Sequence, residues 1–261
     1  MYLFSQNKEA SREDQMSNLI TSKAERDQKN QHKMSLVIQF LKQEVYSDIA
    51  NLMLLLEYKK RQPLDRLLSK LSDLEFIQKH NFEFQTGKFA VWGITSLGLT
   101  QYIQSIDEDF RAFEPYRVKF QTLEHKLMNQ KVQIYLQRNG WTGWQNADQY
   151  SFRSKFSVEH RPDAIMIAPN GHTIAIETER TLKPVARYRS IFKSHILAKQ
   201  KQYWGAVFYV VADDNIRHLL NKRFDRVEYI PFDESKHPFE HYRSKIVRVF
   251  TLDEIKTLTL N

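Results

Sequence analysis

The amino-acid pattern predicts a two-domain chain of α+β and α/β class: a helical module closed by a two-stranded ribbon, then a core built on a mixed central sheet. Three observations lead there. Apolar residues recur at helical spacing from Leu36 to Leu74 and then switch to alternation through Phe76–Trp92. A long helical pattern through Phe120, Leu123, Leu127, Val132, Tyr135 and Leu136 stops at Asn139-Gly140, where a left-handed C-cap belongs. Beyond Trp141, short apolar runs alternate with helical stretches, which is the sign of an α/β core. With 261 residues, 41% hydrophobic and 13% aromatic, the chain has material for one large or two small cores.

Residues 1–33 are polar and mixed in charge, and they read as a mobile arm with partial helix at most. Leu36, Val37, Phe40, Leu41 and Val45 then share one helix face. Ser47 is placed to cap a second helix through Leu56, and Pro63 to begin a third that carries Leu64, Leu67, Leu68, Leu71 and Leu74. A ribbon follows through Ile77, Phe82 and Phe84, a turn at Thr86-Gly87, and Phe89, Val91 and Trp92; Thr95 and Ser96 cap a short helix to Tyr102. Three helices and a ribbon over residues 34–104 make the winged-helix pattern. Basic residues fall where such a module docks on DNA: Lys59, Lys60 and Arg61 before the third helix, Arg66 and Lys70 on its polar face, Lys79, His80 and Lys88 in the wing. The competing reading is a helical module packed on the rest of the chain, its charges merely solvated.

Residues 105–117 read as a connector, and 105–261 as the second domain, opened by the long helix. The pattern then gives strands near Ala164–Ala168 and Thr173–Glu179 across a Pro169-Asn170-Gly171 turn, and a helix near Pro184–Lys201. A strand at Ala206–Val211, a helix at Asn215–Arg223, strands at Val227–Ile230 and Ile246–Phe250, and a helix after Thr251 complete it.

Several function classes drop out. Zero Cys removes disulfide frameworks, thiolate nucleophiles and sulfur-bound zinc. No apolar run approaches the ~18 residues of a membrane span, and the N-terminus has no signal-peptide core, so a soluble, cytoplasmic protein is expected. The balance of 39 Lys+Arg over 31 Asp+Glu, net +8, suits a polyanionic partner.

The chemistry concentrates at residues 160–180. Asp163 opens one strand, and Glu177 and Glu179 close the next. Side chains two apart on a strand share a face, so both glutamates point one way while Ile174 and Ile176 point the other. The hairpin brings Asp163 beside them. Three carboxylates together repel unless a counter-ion intervenes, and an oxygen-liganded Mg²⁺ or Mn²⁺ would supply it. From Arg180 to Ala212 there is no Asp or Glu but there are seven Lys/Arg, with Arg187, Arg189 and Lys193 expected outward on the helix, beside His195. Charge to hold a phosphodiester backbone next to metal to cleave it fits a nuclease. Surface acids on an ordinary hairpin are the plain alternative.

Pro162-Asp163 followed by Glu177-Thr178-Glu179 resembles the PD-(D/E)xK nuclease superfamily, with Glu179 where the usual Lys stands. That resemblance implies a restriction-endonuclease-like core, metal ligands at Asp163, Glu177 and Glu179, and Lys183 or Lys193 in the role of the missing Lys. It also makes Glu124, on the preceding helix, a further ligand candidate. The combination of a winged helix, Leu123-Glu124-His125-Lys126-Leu127, Arg161-Pro162-Asp163-Ala164 and Ile176-Glu177-Thr178-Glu179-Arg180-Thr181-Leu182-Lys183 ahead of an Arg-Tyr-Arg helix is similar to the MobC-type plasmid relaxases of the replication-relaxation family. This implies nicking of one DNA strand at a plasmid origin of transfer, with Arg180, Arg187 and Arg189 gripping the backbone. It further implies partnership with a relaxosome accessory protein and a coupling protein. Metal-activated water is the expected nucleophile; Tyr188 and Tyr203 are the alternatives, and both read as packing residues. His160 is read as orienting a ligand or as structural, and His237 and His241, separated by Pro238, as exposed. The competitors are a non-catalytic replication or copy-control DNA-binding protein, a different nuclease on the same fold, and an interaction scaffold.

Overall fold

In the computed structural model, residues 22–84, 87–101, 110–233 and 235–260 are described. The first helix, α1 (Lys23–Glu44), is capped by Ser22, whose side chain accepts from the Glu25 N–H. It therefore starts inside the stretch expected to be an arm. Its first turns are exposed and polar, and they extend as helix from the part anchored by Met34, Val37, Ile38 and Leu41. Residues 1–21 of the expected arm lie outside the described residues.

Strand β1 (Tyr46–Asp48) and helix α2 (Ile49–Leu55) follow. The cap of α2 is Asp48, accepting from Asn51 N–H at 2.8 Å, and not Ser47, whose hydroxyl is buried in a contact with Gln130. Helix α3 (Arg61–Asp73) buries Leu64, Leu67, Leu68 and Leu71 and carries Pro63 within its first turn. Strands β2 (Ile77–Phe84) and β3 (Gly87–Ile94) form an antiparallel ribbon, and β1 pairs with β3 to give a sheet ordered β1-β3-β2. The expected turn residue Thr86 lies outside the described residues. Helix α4 (Ser96–Gln101) is capped by Thr95.

Helix α5 (Phe120–Arg138) ends as expected at Asn139, with Gly140 at φ +82°. The Trp141 N–H reaches Leu136 O and the Gly140 N–H reaches Gln137 O, the paired bonds of a Schellman cap. Then come β4 (Thr142–Asn146), α6 (Tyr150–Lys155), β5 (Ala164–Ile167), β6 (Thr173–Glu179), α7 (Val185–Gln200) and β7 (Ala206–Val211). The chain closes through α8 (Asp214–Asp225), a hairpin of β8 (Tyr229–Phe232) and β9 (Ser235–Pro238), α9 (Glu240–Ile246), β10 (Val247–Thr251) and α10 (Leu252–Ile255). The central sheet is mixed, ordered β10-β7-β6-β5-β4: β4, β5 and β6 form an antiparallel meander, and β6, β7 and β10 run parallel.

Both sheet faces are covered. Ile165, Ala175, Val207 and Tyr209 pack under Tyr188, Phe192 and Ile196 of α7 and Leu220 and Phe224 of α8. Met166, Ile174, Ile176, Phe208 and Val210 pack on Met128, Val132 and Leu136 of α5. Strand β6 is thus buried on both sides, and any polar residue on it must find a partner inside the protein. Among the described residues no helix is long and apolar enough to cross a membrane.

Candidate active site

Asp163 precedes β5 in register with Glu177 on β6: its N–H donates to Ile176 O, and Ala164 pairs with Ile176. As the alternation requires, Glu177 and Glu179 lie on the α7 face and Thr178 on the α5 face. The hairpin does bring the three carboxylates to one end of the sheet, but each meets a partner supplied by the chain.

Glu177, 5% exposed, accepts through one oxygen, Oε1, from two imidazoles: His160 Nε2 at 2.7 Å and His195 Nε2 at 3.1 Å. The Trp204 indole N–H donates to His195 Nδ1 at 3.2 Å. An indole nitrogen can only donate, so Nδ1 of His195 is the acceptor and its ring proton sits on Nε2, aimed at Glu177. Burial pushes the Glu177 carboxyl up, but the hydrogen bonds from His160 and His195 outweigh it and hold the group below the usual carboxylate range.

Glu179, 2% exposed, receives Lys183 Nζ on both oxygens, at 2.7 and 2.6 Å. Burial raises its pKa against the pull of that ammonium. Asp163 Oδ2 accepts from the Thr178 N–H at 2.6 Å and meets His125 Nε2 at 3.2 Å, while His125 also reaches Thr178 O at 2.9 Å. The hydrogen bond to Asp163 raises the His125 pKa, against burial. Thr178 Oγ1 donates to Asn129 Oδ1 at 2.9 Å. Thr178 is thereby pinned through its N–H, its carbonyl and its hydroxyl, which fixes the two glutamates on either side of it.

Asp163 and His160 line a cleft of about 590 Å³. Its other walls come from the end of α1 and Arg111, from α5, from the β4–α6 turn and from Arg187.

Several expected site residues sit elsewhere. Glu124 is turned outward and paired with Arg180, while its neighbour His125 faces the carboxylates. Lys193 lies by Asp233 and Phe232 of the hairpin, at 3.7 Å from the Asp233 carboxylate, so Lys183 is the lysine delivered to the cluster. Arg189 packs over the Tyr229 ring at 4.3 Å instead of facing outward, because β8 covers that side of α7. Arg187 remains exposed, as do Arg66 and Lys70 on α3, and Lys88 pairs with Glu83 across the ribbon. Tyr188 is buried with its hydroxyl accepting from the Lys183 N–H, and Tyr203 packs on Phe156 away from the cleft; neither faces it. His237 lies in β9 and bonds Ser235 and Tyr242, in keeping with Pro238 barring one helix through both His237 and His241.

Two metal arrangements can be weighed on these donors. His160, Glu177 and His195 bring one ligand atom each within 4.8 Å of one another. Ligation by His195 Nε2 would move its proton to Nδ1, against the Trp204 N–H, so this trio is built as a hydrogen-bond network. Asp163 Oδ1 and Glu177 Oε2 stand outside all the bonds described above; two hard carboxylate oxygens on facing strands suit Mg²⁺ or Mn²⁺. Glu179 is engaged through both oxygens by Lys183, and Glu124 by Arg180. Comparison with protein-family models, curated proteins and solved structures gives no match to this chain.

Proposed function

We propose that the protein is a divalent-metal-dependent DNA endonuclease that nicks one strand at a plasmid origin of transfer. The observation that carries the reading is the juxtaposition of Asp163 with Glu177 at the ends of two antiparallel strands, with the Lys183 ammonium on Glu179 two residues further. The order α5-β4-α6-β5-β6-α7-β7, an antiparallel meander with a short helix inserted, then a helix and a parallel strand, supports a restriction-endonuclease-like core. Three helices with a β-ribbon ahead of it support a winged helix. Lys183 brings a cation to the end of β6, where Glu179 replaces the usual Lys.

In this reading Asp163 and Glu177 hold the ion, which supplies Lewis-acid charge at the phosphate and a water of lowered pKa. His160 and His195 hold Glu177 ionised and oriented, and His125 orients Asp163. Lys183 neutralises Glu179, which would otherwise repel the phosphate. Arg187, exposed on the cleft, holds backbone charge. A relaxosome accessory protein and a coupling protein are the partners this role requires.

A specific observation favours a second reading, a DNA-binding protein on a silent nuclease fold: every one of the three carboxylates already has a cationic or imidazole partner. Conversion of supercoiled to open-circular DNA separates them. The substrate is DNA cloned from either side of the protein's own coding sequence, with Mg²⁺ or Mn²⁺, beside an unrelated plasmid. Metal-dependent nicking of the cognate DNA, lost in Asp163→Asn, supports the nickase; Asn keeps an acceptor for the Thr178 N–H, so the fold is retained. Tight cognate binding without nicking under either metal supports the second reading.

A further inference from the structure

The sequence puts the backbone grip at Arg180, Arg187 and Arg189, beside the DNA contacts of the winged-helix module. The cleft places it differently, between the two halves of the molecule. Five cations line it, each from a different segment of the chain: Arg111 after α4, Lys126 on α5, Arg153 on α6, Arg161 before β5 and Arg187 on α7. Arg111, Arg153 and Arg187 are exposed and form no ion pair among the described residues. Arg161 reaches Ala147 O, and Lys126 lies over the Tyr46 ring.

Acids line the same space. Asp163 belongs to the carboxylate cluster, Glu44 is buried against Asn146, and Asp148 and Glu159 are exposed on the rim. Among the described residues, the cleft guanidinium groups without an ion pair outnumber the rim carboxylates without one, and one wall of the cleft ends at Asp163. An unpaired Arg retained beside an acidic centre is the arrangement that takes a phosphate bidentately. An aromatic residue is interleaved: Tyr150, 56% exposed, opens α6 and lines the cleft one turn before Arg153.

Size selects the form of the ligand. At about 590 Å³ the cleft matches a drug-sized ligand. It holds a nucleotide or two of one strand, and a duplex, whose major groove alone is roughly 12 Å wide, does not enter. Cations tracking a backbone beside an aromatic platform are the physics of single-strand binding.

We infer that the cleft is a single-strand binding channel in which Arg111, Arg153 and Arg187 contact successive phosphates and Tyr150 stacks on a base, so that both halves of the molecule clamp the strand beside Asp163. The inference rests on the nuclease reading for the identity of the polyanion, and its test does not use cleavage.

Binding of a short fluorescein-labelled thymidine oligonucleotide is followed by fluorescence anisotropy, without divalent metal, from about 50 to 200 mM salt. Each single-strand phosphate contact contributes roughly 0.7 to the slope of log affinity against log salt, so the Arg111→Ala/Arg153→Ala/Arg187→Ala variant should lose about 2 from that slope. Tyr150→Ala should weaken binding about tenfold and leave the slope unchanged. Arg66→Ala/Lys70→Ala, on the exposed face of α3, should weaken binding of a blunt duplex and spare the oligonucleotide. An unchanged slope in the triple Arg variant, or an equal loss for the blunt duplex, would overturn the channel. Asp163→Asn, which takes a negative charge from the cleft wall, should bind the oligonucleotide at least as tightly as wild type; failure of that variant to nick, or of the wild type to nick, bears only on the nuclease reading.

Discussion

His195 illustrates how the residues of this site depend on one another. It is fully buried, and its two ring nitrogens face one acceptor, Glu177, and one donor, Trp204. Removing the carboxylate in Glu177→Ala leaves a buried N–H without an acceptor, which costs about 1–3 kcal/mol. Thermal or urea unfolding of that variant is therefore expected to show a clear loss of stability, and any loss of nicking in it must be read against that loss. Asp163→Asn, at a half-buried position with its acceptor retained, should unfold close to wild type. Glu44 makes a pH prediction. Burial raises its pKa, opposed by Lys126 and the 2.6 Å bond from Asn146. A carboxyl whose folded pKa lies above its unfolded value holds its proton more tightly in the folded state. Stability is then full below the ordinary carboxylate pKa and falls as pH rises through the folded one. Glu44→Gln, which keeps an acceptor for Asn146, is expected to match wild type near pH 4 and to melt a few degrees higher near pH 8; an equal gain at both pH values would refute the assignment. The three carboxylates were legible in the sequence because strand alternation is local. The meeting of His125 and His195 with them, and of Trp204 with His195, was not, since these contacts join α5, α7 and the segment before β7 to the β5–β6 hairpin, and no spacing rule encodes such meetings. The motif points to Glu124, but the phase of α5 turns its neighbour His125 to the carboxylates.

At the scale of elements, the legible parts are those with one strong period. Strands β6 and β7 and the end of α5 fall where the apolar pattern and the Asn-Gly stop put them. Strand β4 escaped because it is short, polar and broken by Gly143 at φ +65°, with a register shift between Thr142 and Gln145. Strand β8 overlaps the strand expected at Val227–Ile230, but its partner β9 escaped because Pro231 and Pro238 interrupt the pattern, which is tolerated on a two-stranded ribbon with free edges. That unforeseen hairpin is also what draws Arg189 and Lys193 away from the outward positions that helical periodicity gave them. Gly93 shows an element–element contact set by a missing side chain. A Cβ there would lie about 2.0 Å from the Phe113 ring, which packs on the β1–β3 pair, and the Phe113 N–H bonds Ile94 O. Gly93→Ala must displace either the strand or the segment leading into α5. A destabilisation of about 1–3 kcal/mol is expected from overpacking, measured by denaturant midpoint at unchanged m-value. If the variant unfolds like wild type, Phe113 is not held on β3 as described.

For the whole molecule, α5 matters most, because its two sides serve different halves. His125 and Asn129, one turn apart, hold Asp163 and Thr178. Gln130 faces the other way: its carbonyl accepts from Ser47 Oγ at 2.7 Å and Asn51 Nδ2 at 3.0 Å, and its amide donates to Tyr46 O at 2.8 Å. Gln133 bonds Gln43, and Leu123 and Leu127 join Tyr46, Phe82 and Val91 in a core that spans the seam. A helix read from sequence as the opening of a second domain is thus equally part of the first. Hydropathy could not reveal this, because the seam is joined largely by amides that score as surface residues. The network already leaves Asn51 Oδ1 and Gln133 Oε1 without a protein partner, so it has little room to lose more bonds. Removing Gln130 orphans buried groups of Ser47 and Asn51, so Gln130→Ala is expected to cost about 2–3 kcal/mol and lower the melting midpoint by roughly 5–10 °C. The decisive feature is the form of that transition. If α5 makes one cooperative unit, Trp92 in the first sheet and Trp141, Trp144 and Trp204 in the core report the same midpoint, in wild type and variant alike. Two separated transitions, resolved by comparing wild type with Trp92→Phe, would mean that the halves melt independently. The proposed clamp would then lack the rigid frame that keeps Arg111, Arg153 and Arg187 around one cleft.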